Sequence, residues 1–491
     1  MPRDIVLAID QGTTGSTALL LSQDLRVLAT QNVEFPNHYP KPGHVEHDIE
    51  EIWASIAQAV SGAMAKADIG PERIAAIGIT NQRETSLFWD PKTGQAANRA
   101  LVWQDRRTAD RCQALKDAGH ETLFKERTGL VLDPYFSGTK ASWMLENVPG
   151  LREKAYSGQA LFGTIDSWLT HRLTGVHVTD TSNASRTLMM SLHSLEWDPE
   201  LLDILGVPAA CLPKICDSSQ VYGHTKNVPF LPDGIPVAGL IGDQQGALFG
   251  QACFSQGMAK CTYGTGAFVL LNTGSTITPS QHGMLTTVAW RVNGEVQYAL
   301  EGSAFIAGAA VQWLRDGLGV IRNAAEIEDL AATVPDSGGV VFVPALAGLG
   351  APHWKPEARG LLWGLTGGTT KAHIARAVLD GIALQIGDIL RAMSQDLGAP
   401  LKELRVDGGA ARNDMLMQRQ CDVLETPCVR PMQLETTALG SAFLAGLAVG
   451  LWKSQDELAA TWREDRVFKP IMDAQEREAL IDLWTRAVER A

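Results

Sequence analysis

The sequence predicts an α/β protein of two domains, and three observations carry that reading. Short apolar strand-like runs alternate with amphipathic helical stretches along the chain. A strand that ends in a Gly/Thr-rich tip and then resumes occurs twice, once near the start and once past the middle. The 491 residues, 45% hydrophobic and 20% charged, suffice to bury two sizeable cores without disulfide staples.

Taken in order, residues 5–9 form a buried-strand pattern that ends at Asp10, residues 12–17 form a turn, and residues 18–21 resume the strand. A helix is expected over 50–67, with Ile52, Ile56, Ala59, Val60 and Ala63 on its apolar face. A strand at 74–79 then leads into Thr80-Asn81-Gln82-Arg83-Glu84. The second half repeats the theme. Residues 237–241 form a strand that ends at Gly242-Asp243-Gln244-Gln245-Gly246. Residues 258–262 lead into the tip Tyr263-Gly264-Thr265-Gly266, and residues 267–271 return. Ile374, Val378, Ile382, Ile386 and Leu390 recur four apart and predict a helix over 374–390. Residues 404–406 make a strand before the turn Asp407-Gly408-Gly409-Ala410 and a further helix. The stretch 438–452, dense in Gly and Ala and shorter than a membrane span, reads as a closely packed core helix. The boundary is placed so that residues 1–248 form one domain and 249–491 the other.

The net charge of −13 argues against a sequence-independent grip on nucleic acid, which needs a basic surface, so no nucleic-acid partner is expected. It does not exclude an anionic ligand, because backbone N–H groups hold phosphate inside acidic proteins. Seven scattered cysteines form no Cys-x-x-Cys pair, which points to free thiols rather than a zinc site or a disulfide framework. Met1-Pro2-Arg3-Asp4 runs straight into the first strand, so neither a leader nor a transmembrane segment is expected, and the location is expected to be cytoplasmic.

The Gly/Thr tips suit nucleotide phosphates for a physical reason. Glycine lets the backbone approach closely, its N–H groups face anionic oxygens, and threonine hydroxyls add donors. Asp10 stands beside the first tip, where a carboxylate can hold the divalent cation that phosphoryl transfer requires. The chain has neither a Gly-x-x-x-x-Gly-Lys-Ser/Thr loop nor a protein-kinase signature. Arg83 and Glu84 follow a buried strand, at the end where α/β sheets place ligands, and supply hydrogen-bond donors and acceptors for neighbouring hydroxyls. Asp243 is a further acid at a strand end.

The two tips together with Asp407-Gly408-Gly409 resemble the superfamily of sugar kinases, actin and heat-shock-protein ATPases. Residues 78–85, 102–107, 133–140, 242–245, 301–302, 312–316 and 348–352 resemble its carbohydrate-kinase family. The resemblance spans nearly the whole chain. It implies two actin-like (ribonuclease H-like) ATPase domains with a catalytic cleft between them. It also implies ATP and Mg²⁺, with glycerol the expected substrate, phosphorylated to sn-glycerol 3-phosphate as the first step of glycerol catabolism. Asp243 is implied as general base, and Arg83, Glu84, Trp103, Tyr135, Asp243, Gln244 and Phe268 as the substrate pocket. Thr13, Thr14, Gly15 and Thr265 are implied at the phosphates, Gly308, Gln312, Gly409 and Asn413 on the nucleotide side, and Asp10 and Asp243 at the metal. A homo-oligomer, dimer or tetramer, is implied as well. The nearest alternative substrate is a larger polyol or ketopentose. The chain departs from the family pattern at Thr17, where Arg is frequent, and in segment 222–236, which has no arginine. The allosteric sugar-bisphosphate binding of regulated relatives is therefore not expected.

Overall fold

The computed structural model describes residues 3–491, so Met1 and Pro2 of the expected N-terminal run lie outside the described residues. Thirteen strands form the main sheet: β1 (Ile5–Gln11), β2 (Gly15–Ser22), β3 (Val27–Glu34), β4 (Ile74–Asn81), β5 (Ser219–His224), β6 (Pro236–Gly242), β7 (Met258–Tyr263), β8 (Ala267–Gly274), β9 (Leu285–Val292), β10 (Glu295–Ala304), β11 (Glu403–Asp407), β12 (Cys428–Pro431) and β13 (Glu464–Phe468). Their spatial order is β13-β12-β11-β7-β8-β10-β9-β5-β6-β4-β1-β2-β3.

One topology occurs twice within that order. β3-β2-β1-β4-β6 and β10-β8-β7-β11-β12 each consist of three antiparallel strands followed by two parallel ones, although in the second set β9 intervenes in sequence between β8 and β10. The repeat seen as two Gly/Thr-tipped hairpins is thus a repeat of whole subfolds. The halves meet where β5 and β9 share a single pairing, Ser219 with Val292.

The first hairpin differs from the sequence expectation in its turn. Only Gly12, Thr13 and Thr14 form the tip, because Gly15, Ser16 and Thr17 already pair with Glu34, Val33 and Asn32 of β3. The Thr17 hydroxyl accepts a hydrogen bond from Asn32 Nδ2 at 2.9 Å.

Six helices matter for the site: α1 (Ile49–Ala67), α2 (Asp243–Gly250), α3 (Gly308–Asp316), α4 (Lys371–Leu397), α5 (Asp414–Leu424) and α6 (Thr436–Ala448). The apolar face of α1 closes the core of the first half, where Ile52, Ile56 and Val60 meet Ile5, Leu7 and Ile79. The 27-residue α4 does the same for the second half, with Val378, Ile382 and Ile386 against Val269 and Val406. The Gly/Ala-rich α6 lies across both halves. Its Ala438, Ala442 and Phe443 share one core with Val6 and Ala76 on one side and Leu270 on the other. It crosses α2 backbone to backbone: a Cβ on Gly440 would collide with the Gly246 carbonyl. That crossing accounts for the small residues in both helices. The 248/249 boundary falls inside α2.

A separate four-stranded sheet joins Glu46–His47, from the connection between β3 and β4, to Ala100–Leu101, Ser86–Trp89 and Leu161–Thr164, from the segment between β4 and β5, and helices cover its apolar face. The segment between β4 and β5 also brings Trp103 and Tyr135 beside Arg83 and Glu84, just past the end of β4. All seven cysteines are buried and free. No helix among the described residues is long and apolar enough to cross a membrane.

Candidate active site

The carboxyl ends of parallel strands converge on one cleft. Asp10 in β1 lies opposite Thr80 in β4, which in turn lies opposite Ile241 in β6, so Asp10, the Thr80–Glu84 segment and Asp243 share one edge. Gln82 fastens this edge to the first tip, donating from Nε2 to Gln11 Oε1 at 3.0 Å and to the Gly12 carbonyl at 3.1 Å. Glu84 is a non-glycine residue in the left-handed region, with φ 61°. Such a conformation persists only where surroundings impose it. Here Ser137 Oγ donates to the Glu84 carbonyl at 2.9 Å, and the side chain is held by ion pairs.

Those ion pairs form a buried network of two arginines and two glutamates. Arg83 donates from Nη1 and Nη2 to both oxygens of Glu301, at 2.5 and 3.0 Å. Arg186 donates from Nε to Glu84 Oε1 at 2.7 Å and from Nη2 to Glu301 Oε1 at 2.9 Å. Arg83 Nη1 also reaches Gln245 at 3.2 Å, Nη2 reaches Tyr135 OH at 3.4 Å, and Nε lies 3.1 Å from Asp243 Oδ1. The guanidinium expected to meet substrate hydroxyls is therefore anchored by protein acceptors and fixes its neighbours as well.

Burial opposes ionisation of Glu301, yet Arg186 and Arg83 outweigh it and hold the carboxyl at about 2. Glu84 is pushed up, because burial there exceeds the pull of the same two arginines. Asp10, half-buried, is raised to about 8 by burial and by the carboxylates of Asp243 and Glu435. Asp10 thus sits in a field made negative by two further carboxylates, with no cation among the described residues close enough to offset it.

Thr13, Arg83, Glu84, Trp103, Tyr135, Asp243, Gln244 and Phe268 line one cavity of about 160 Å³. Every residue assigned to the substrate pocket from sequence is among them, and Thr13 of the first tip joins them. Trp103 packs edge-on against Tyr135, centroids 5.6 Å apart, and donates from Nε1 to Thr13 Oγ1 at 2.9 Å. Asp243 opens α2. Its Oδ1 accepts from the Gln244 N–H at 2.7 Å, and Oδ2 makes no hydrogen bond among the described residues.

On the other side, the second tip is built into its surroundings. The Ala307 and Ala309 N–H groups donate to the Thr265 carbonyl at 2.9 and 3.0 Å, and the Gly308 N–H donates to the Gly264 carbonyl at 3.0 Å. This sets the N-terminus of α3 directly against the tip, with Gln312 exposed one turn along. The Gly-Gly turn meets the same hairpin. Gly408 has φ 86°, and a Cβ there would lie 2.5 Å from the Tyr263 carbonyl. Gly409 faces open space, and Asn413 caps α5 by accepting from the Leu416 N–H at 2.8 Å. Thr14 is exposed at the first tip, whereas Gly15 is buried beneath it.

Arg186 was missed by sequence reasoning, and Glu301 appeared there only as part of a motif. Arg186 lies 102 residues from Glu84 and 115 from Glu301, and no local pattern marks it. A signal for Glu301 does exist: an acid inside an otherwise buried strand requires a cationic partner.

A repeated α/β subfold, Gly/Thr hairpins facing a cleft and a carboxylate-lined small cavity define a two-domain kinase of the sugar-kinase type. The chain matches the FGGY family of carbohydrate kinases, N-terminal domain over residues 5–250 and C-terminal domain over residues 259–449. It belongs to that family. Among curated relatives, it is 58% identical over 490 residues to a glycerol kinase of Myxococcus xanthus, covering 99% of both chains. It is 56% identical to glycerol kinase 2 of Thermotoga maritima, covering 99% of this chain and 98% of that one. Among solved structures, it is similar to Plasmodium falciparum glycerol kinase with ADP, with TM-score 0.94 and 36% identity over 100% of this chain and 98% of that chain.

Proposed function

We propose that this chain phosphorylates glycerol with ATP, giving sn-glycerol 3-phosphate and ADP. The observation that carries the reading is the 160 Å³ cavity, which joins carboxylates, an arginine, hydroxyl and amide groups and three aromatic rings beside the first tip. It is small against the several hundred Å³ of a drug-sized site, and its polar-and-aromatic lining suits a short polyol.

In this reading Trp103, Tyr135 and Phe268 pack against the carbon chain, while Glu84 and Asp243 accept from hydroxyls. Arg83 keeps both acids in place. Asp243 Oδ2, free of protein partners among the described residues, accepts the proton of the attacking hydroxyl as the O–P bond forms. Thr13, Thr14 and Thr265 meet the phosphates from two sides. Gly308, Gln312, Gly409 and Asn413 line the nucleoside side, and the tight fit of Gly408 against Tyr263 supports that placement. Alignment of the hydroxyl and exclusion of water supply much of the rate.

The donor set fits Mg²⁺. Asp10 and Asp243 offer hard oxygen ligands, and the raised Asp10 carboxyl marks negative charge that a cation would neutralise. When bound, the ion would neutralise charge on the transferred phosphoryl group. The division into residues 1–248 and 249–491, a cytoplasmic location and a dimeric or tetrameric state belong to the same reading; light scattering tests the last.

The test is ADP release from Mg-ATP with and without glycerol. Release that rises with glycerol and yields a phosphomonoester supports the assignment, and ATP turnover indifferent to glycerol overturns it.

A further inference from the structure

Lys260, in the middle of β7, is fully buried, and its ammonium is saturated. Nζ donates to Gln244 Oε1 at 2.5 Å, to Thr262 Oγ1 at 3.0 Å and to the Phe268 carbonyl at 3.4 Å. An ammonium has three donors and no acceptor, so three partners use it fully and leave nothing for a ligand. Two of those partners, Gln244 and Phe268, line the substrate cavity, and the third lies in the strand that carries the second tip.

The asymmetry of the amide turns this contact into a constraint. Because Nζ can only donate, the Gln244 side chain must turn Oε1 towards it. The amide NH₂ then has no hydrogen-bond acceptor among the described residues, although Gln244 borders the cavity. Without Lys260, the amide could rotate and present either end.

We propose that Lys260 is a positioning residue for the phosphotransfer, fixing Gln244 so that its amide presents N–H donors, not a carbonyl, to the bound polyol. The proposal rests on the glycerol-kinase reading of the cavity. Lys260 comes from the second repeat and Gln244 from the segment joining the repeats, so the contact also ties the pocket to the hairpin that meets phosphate.

The experiment is a double-mutant cycle of Lys260→Met and Gln244→Ala, read as glycerol KM, kcat and melting temperature. Losing a charge-assisted hydrogen bond that orients a binding group is expected to raise glycerol KM about ten-fold in Lys260→Met. In the Gln244→Ala background the same change should shift KM by less than about two-fold, because residues acting through one contact are not additive. Additive KM effects, or an unchanged KM in active Lys260→Met, overturn the proposal. Gln244→Glu leaves Lys260 in place and replaces the donor with an acceptor. It should raise glycerol KM with melting temperature kept or increased; a lowered melting temperature with unchanged KM contradicts the contact. The melting-temperature arm reads the contact whether or not glycerol is turned over. If wild type is inactive on glycerol, the functional assignment fails; if wild type is active and the cycle additive, only the role of Lys260 fails.

Discussion

Glu301→Gln tests the buried ion network that holds the pocket. The substitution keeps shape and one carbonyl acceptor but removes the charge facing Arg83 and Arg186, leaving one positive charge in excess in a fully buried cluster. Its magnitude follows from the carboxyl itself. A fall from the ordinary 4.5 to about 2 corresponds to roughly 3 kcal/mol of differential interaction. Removing one partner of a buried pair costs about 3–5 kcal/mol, the same range. For an unfolding unit of about 250 residues that is a loss of roughly 6–10 °C in melting temperature at neutral pH.

The pH dependence has a definite sign. The folded-state value lies below the unfolded one, so the stabilisation is complete above 4.5 and disappears as pH falls towards 2. The melting-temperature gap between wild type and Glu301→Gln should therefore be full at pH 7 and narrow progressively below pH 4.5. Differential scanning calorimetry at pH 7, 5, 4 and 3 measures it. A missing gap at pH 7, or a gap constant down to pH 3, refutes the account of the network.

Asp243→Asn should lower kcat by about 10²–10⁴ with a much smaller change in glycerol affinity, measured by steady-state kinetics and calorimetric titration. Asp10→Asn should abolish Mg²⁺-dependent turnover yet raise the melting temperature of the ligand-free protein at pH 8. The raised Asp10 carboxyl opposes folding as pH climbs from 3.8 towards about 8, so that gain should shrink towards pH 4. Gly408→Ala forces a Cβ against the Tyr263 carbonyl at a positive φ, with strain of about 1–3 kcal/mol, and should weaken ADP binding by roughly ten-fold while leaving glycerol titration little changed. Thr13→Val removes the acceptor of the Trp103 indole N–H, a loss of about 1 kcal/mol, and should raise glycerol KM several-fold.

The sequence displayed the repeat because strand ends and Gly/Thr tips carry local signatures: glycines at the turn and an acid at the end of an apolar run. It located α1 to within a residue and made α4 too short, since the last turns of that helix are partly polar and escape the four-residue spacing. It extended the first tip to Thr17 because β3, whose residues are mostly half-exposed, gives no strong strand pattern, and pairing with β3 is what makes residues 15–17 a strand. The pocket residues were legible as motifs. The geometry that holds them was not, because Arg186 and Glu301 reach Arg83 and Glu84 across a hundred residues or more. The left-handed turn at Glu84 has no sequence mark either, as glycine would normally be expected there.

The central claim is that this small cavity selects a three-carbon polyol for phosphorylation. The most direct measurement is kcat/KM with saturating Mg-ATP for glycerol, erythritol and xylulose under one set of conditions. The account predicts the highest value for glycerol and a steep fall as the chain lengthens, because the lining residues leave a cavity of only about 160 Å³. A preference for xylulose, or equal values for all three, would contradict it.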